Sequence, residues 1–98
     1  MLFRSRTGGT VEDVNDDEVR DGIELLARTE GIFAETAGGT TVATAKKLVE
    51  AGKLDPDADT VLLITGDGLK TLDAVADRIG PKATVPPNAA AVAEALGL

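Results

Sequence analysis

The sequence predicts an α/β fold, a small incomplete unit of three-layer type with about four helices and two to three short strands. Several stretches carry apolar residues at helical spacing, as in Val19, Ile23, Leu26 and Ala27. Between them runs Val61-Leu62-Leu63-Ile64, apolar at every position, the pattern of a strand buried on both faces. Glycine, aspartate and proline clusters separate these segments.

The elements follow in order. Gly8-Gly9 opens a short extended candidate, Thr10–Val14. Asn15 precedes Glu18 by three positions, the spacing of a capping box, so a helix is predicted from Asp16 to Thr29 with Gly31 as its stop. Ile32–Glu35 is a brief apolar bridge. A second helix is predicted to begin near Gly39 and run to Ala51, with Val42, Ala45, Leu48 and Val49 on one face and Gly52 ending it. The loop 55–59 leads into the strand Val61–Thr65. Leu72, Val75, Ala76 and Ile79 predict a third, shorter helix closed by Gly80-Pro81. Ala83–Val85 is a last strand candidate, and Asn88 caps a final alanine-rich helix. Two or three strands cannot sandwich Val61–Ile64, so the sheet lacks neighbours.

Bulk composition bounds the function. The chain has 98 residues, 43% hydrophobic and 28% charged, which reads as one small domain over residues 1–98. It has no Trp or Tyr, and only Phe3 and Phe33 are aromatic, so the core is aliphatic. The net charge of −7 argues against nucleic acid or an anionic membrane as the main partner. With no Cys there is neither disulfide nor thiol nucleophile, and with no His the usual proton shuttle and commonest metal ligand are missing. No bilayer-spanning stretch or signal peptide is legible, and a cytoplasmic protein is the default expectation.

Three segments are candidate sites. Glu35–Thr41 leads into the second helix with Gly38-Gly39, where backbone N–H groups could meet an anion or simply start a well-capped helix. It is neither a Walker loop nor a dinucleotide fingerprint. Asp55, Asp57 and Asp59 alternate like calcium ligands, but Thr60 and Gly66 stand where such a loop needs Gly and Glu. A solvated loop and no metal site are expected there. Thr65-Gly66-Asp67-Gly68 ends the apolar strand, where open α/β sheets place ligands, and is either a corner or a binding wall.

Several ordered blocks carry a resemblance: Gly8–Val14, Asp16–Val19, Leu25–Glu35, Gly52–Pro56 and Thr65–Lys70. Together they resemble the carboxyl-terminal part of the threonine synthases, enzymes dependent on pyridoxal phosphate (PLP) and related to the tryptophan synthase β subunit. The resemblance implies that the unit is part of the large domain of a PLP enzyme. It implies that Thr65, with Gly66 beside it, faces the pyridine nitrogen of PLP. It further implies that Glu35, Gly38, Gly39, Thr40 and Thr41 line the cofactor pocket, although Thr36 and Gly38 stand where relatives carry Pro and Ser.

The family holds its cofactor on a Lys in a Ser-Phe-Lys type motif and cradles the phosphate in a separate glycine-rich loop. Lys46, Lys47, Lys53, Lys70 and Lys82 lie in no such motif. The expectation is therefore a carboxyl-terminal segment that is inactive alone, with no catalytic residue of its own and no covalently held PLP. Its partner would be a separate amino-terminal half or a second copy. The competing expectation is a non-catalytic small module that self-associates or binds an anion.

Overall fold

Asn15 fixes where the first helix starts. In the computed structural model, which describes residues 6–98, its side chain accepts from the Glu18 N–H at 2.9 Å. The Glu18 carboxylate accepts from the Asn15 N–H at 2.8 Å, completing the capping box. Helix α1 spans Asp16–Glu30 and ends at Gly31, whose φ of 69° is the left-handed cap that only glycine adopts without cost. Three acidic residues fill its first turn, matching the positive end of the helix dipole.

Helix α2 spans Thr36–Glu50 and returns antiparallel, since Glu18 meets Lys47 while Gly22 meets Gly39 and Ala43. It begins three residues before the predicted start. The glycine pair that reads as the approach to the helix lies inside its first turns, buried against neighbours. Gly39 has Val19 and Ile23 within 3 Å of where a Cβ would sit, and Gly22 has the Gly39 carbonyl at 2.4 Å. Two glycines thus let the helix backbones approach closely. Ile23, Leu26, Ala34, Val42, Ala43 and Leu48 form the core around this crossing.

The predicted α/β class is overturned. Among the described residues there is no strand, only an isolated antiparallel bridge between Ala34 and Asp67. The reason is the absence of partners for extended backbone. Val61 is 81% exposed and Leu63 72%, while Ile64 alone of that run packs on the core. Thr10–Val14 pairs through side chains instead: Lys47 donates to the Asp13 carbonyl at 2.8 Å, and Lys53 reaches Glu12 at 3.2 Å. Ala83–Val85 is also unpaired.

The third predicted helix is replaced by a 3₁₀ segment, Gly68–Ala74. Thr71 breaks it with φ −133° and ψ 38°, and turns carry the chain onward to Arg78. Helix α3, Ala89–Leu96, forms where Asn88 predicts it, with the Asn88 side chain accepting from Ala91 N–H at 2.9 Å. It buries no residue. The radius of gyration is 18.2 Å, against about 13 Å for a compact chain of this length. No helix among the described residues is long and apolar enough to cross a membrane.

Candidate functional site

The bridge at Ala34 joins the two segments that the sequence singled out. Glu35 N–H donates to the Gly66 carbonyl at 3.1 Å, and Gly68 N–H donates to the Phe33 carbonyl at 2.9 Å. The entrance to α2 and the turn after Ile64 are therefore one structural unit. Side chains crowd both outer positions of that turn. A Cβ on Gly66 would sit 1.9 Å from the Glu35 carboxylate, and one on Gly68 2.5 Å from the Phe33 ring.

Glu35 stands at the N-cap of α2 but accepts no capping hydrogen bond through its side chain. Its carboxylate lies over Gly66 and faces the Lys70 ammonium at 3.6 Å. Thr36 N–H, at the first position of α2, donates to the Thr71 hydroxyl at 3.2 Å. Asp67 caps the 3₁₀ segment by accepting from Leu69 N–H at 2.8 Å. The Thr65 side chain is exposed, and its hydroxyl has no hydrogen-bond partner among the described residues.

The remaining candidates divide. Gly38 is buried against Ala34 and Ile64, and Gly39 faces α1, so both are occupied by packing. The hydroxyls of Thr40 and Thr41 donate back into their own helix, to the carbonyls of Thr36 and Ala37 at 3.0 and 3.1 Å. Asp55 accepts from Asp57 N–H at 2.9 Å, using its carboxylate to close a turn. Sequence reading missed Phe33, Lys70 and Thr71. Phe33 carried one signal, as one of only two aromatic residues in the chain.

Electrostatics sets two of the lysines, Lys46 and Lys47, apart from a nucleophilic role. Lys46 is pushed up by its hydrogen bond and ion pair with Glu50, at 2.7 Å. Lys47 is pushed up by its hydrogen bond to Glu18. A reactive amine needs the opposite, a lowered pKa.

Residues 2–66 match the sequence pattern of the pyridoxal-phosphate dependent enzymes. The chain belongs to this family. The match takes in Glu35–Thr41 and Thr65-Gly66 and stops before the 3₁₀ segment. Among family members, the threonine synthase of Methanocaldococcus jannaschii is 47% identical over 68 residues, 69% of this chain and 17% of that enzyme. The threonine synthase of Methanosarcina acetivorans is 38% identical over 90 residues, 92% of this chain and 22% of the enzyme. That of Halalkalibacterium halodurans is 31% identical over 84 residues, 86% of this chain and 24% of the enzyme. The chain thus spans between 17% and 24% of these curated relatives' length. Within the PLP enzymes it is a threonine synthase-like segment.

Proposed function

We propose that this chain supplies one wall of the cofactor site of a threonine synthase-like enzyme. The whole enzyme would convert O-phosphohomoserine and water to threonine and phosphate. The observation that carries the reading is the tie between Glu35 and Gly66, which brings the α2 entrance beside the turn bearing the unpaired, exposed Thr65 hydroxyl.

PLP, when bound, withdraws electrons from the carbon atoms of an attached amino acid through its pyridine ring. The residues present fit one edge of that group. A threonine hydroxyl is both donor and acceptor, so Thr65 can donate to an unprotonated pyridine nitrogen. Keeping that nitrogen neutral moderates electron withdrawal, which suits elimination and replacement chemistry over transamination. Gly66, tied to Glu35 through its carbonyl, would hold Thr65 in place. Gly38, Gly39, Thr40 and Thr41 would act indirectly, by fixing the start of α2.

Residues outside these 98, carrying the attachment lysine and the phosphate loop on the same or a partner polypeptide, would complete the site. The exposed apolar run at Val61 and Leu63 supports the need for such a partner, or for a second copy of this chain.

The test has two arms. The chain alone, mixed with PLP, should give no borohydride-trappable adduct on a specific lysine; such an adduct would sink the proposal. Mixed with the complementary part of the M. jannaschii enzyme, it should restore phosphate release from O-phosphohomoserine. Thr65→Ala should reduce that release without preventing association. Association without activity would favour the non-catalytic reading.

A further inference from the structure

We infer that residues 75–79 form an ionic strap that closes on α1 and is released by salt. The segment lies beyond the family match and plays no part in the Thr65 reading. Two reciprocal sets of charges hold it. Arg78, on the strap, reaches three carboxylates one helical turn apart on α1: Asp21 at 2.7 Å, Asp17 at 3.1 Å and Glu24 at 3.3 Å. Arg20, on α1, reaches back to Asp77 on the strap.

The sequence places these groups with purpose-like economy: 17, 21 and 24 share one face of α1, since residues three and four apart are neighbours on a helix. A lone exposed ion pair contributes little, but a guanidinium forked among several carboxylates is a network with defined geometry. Little else fixes this segment. Its apolar anchor is Val75, 1% exposed, and its own backbone bonds run from Arg78 and Ile79 N–H to the Val75 carbonyl, both 2.9 Å.

Ala74, immediately before the strap, faces Val19, Arg20, Thr36 and Thr40 across a groove of about 540 Å³ beside the start of α2.

Hydrogen exchange of the full chain tests this, comparing amides in 75–79 with those in α1. Between roughly 0.01 M and 1 M NaCl the screening length falls from about 30 Å to about 3 Å. Exchange in 75–79 should rise across that range, by about fivefold, while α1 stays protected. Arg78→Gln should give faster exchange already at low salt and shrink the salt response to the part carried by Arg20 and Asp77, and Arg78→Lys should restore part of it. Unchanged exchange, or a rise shared equally with α1, overturns the strap. If Arg78→Gln fails to fold, the wild-type salt series decides alone: a rise confined to 75–79 supports the strap, and any other result overturns it.

Discussion

Gly22 and Gly39 meet at the crossing of α1 and α2 so closely that a Cβ on Gly22 would lie 2.4 Å from the Gly39 carbonyl oxygen. The nearest obstructing groups, the Gly39 carbonyl for Gly22 and the Val19 carbonyl for Gly39, are backbone, so neither can swing aside. Alanine is the better helix former by up to about 1 kcal/mol, but that gain is smaller than the overpacking cost of about 1–3 kcal/mol. Gly22→Ala and Gly39→Ala are each expected to destabilise the pair, read as a lower midpoint of urea unfolding followed by circular dichroism.

The two asparagine caps should differ in consequence. Asn15→Ala removes the capping box of α1, which carries Ile23 and Leu26 into the core, and is expected to cost about 1 kcal/mol of global stability. Asn88→Ala removes an equivalent bond from α3, which buries nothing. It should lower helicity in 89–96, measurable by backbone chemical shifts, and leave the unfolding midpoint of the rest unchanged.

The turn glycines give a graded pair. Gly68→Ala drives a methyl into the Phe33 ring, which is wedged beside the bridge, and should cost about 1–3 kcal/mol. Gly66→Ala meets only the end of the Glu35 side chain, which can rotate away at the expense of its pairing with Lys70. It should cost less than about 1 kcal/mol. Exchange of the Glu35 and Gly68 amides, both donors in the bridge, distinguishes the two variants.

Acid should loosen the helical pair through Glu18. Its carboxyl is held below the ordinary range, first by the Asn15 N–H and then by the Lys47 hydrogen bond. A group with a lowered folded-state pKa contributes stability that is complete above its unfolded value, about pH 4.3 for Glu. The contribution is lost as pH falls through the depressed folded value. Glu12, lowered chiefly by its hydrogen bond to Lys53, adds in the same direction. Glu18→Gln should flatten the stability profile below pH 4.3 and leave its slope near neutrality unchanged, as read from unfolding midpoints across that range.

How much of this was legible depends on how far each signal travels. The limits of α1 and α3 rest on residues within one turn of each other, so Asn15, Glu18, Gly31 and Asn88 could be read directly. The start of α2 could not, because Gly38 and Gly39 look like the approach to a helix unless Gly22, far back in the chain, is known to lie against Gly39. The apolar run from Val61 was read for what it is chemically, but a strand exists only when another backbone pairs with it, and none among the described residues does. Glu35 and Gly66 lie in family blocks that the sequence displays, but the hydrogen bond that ties them spans about thirty residues and shows in no local pattern. The hydrogen bond from Thr36 to Thr71 left no trace in spacing.

The bridge between Phe33–Glu35 and Gly66–Gly68 also sets an order of assembly. Contacts between α1 and α2 span a short hinge and are expected to form first, whereas the bridge must close a loop containing all of α2 and the apolar run behind it. Until that late closure, Ile64 has no fixed seat and Thr65 no fixed direction. The hydroxyl proposed to meet the cofactor is thus among the last groups to be aimed, so pairing with another polypeptide could capture the run before or after it docks on its own helices.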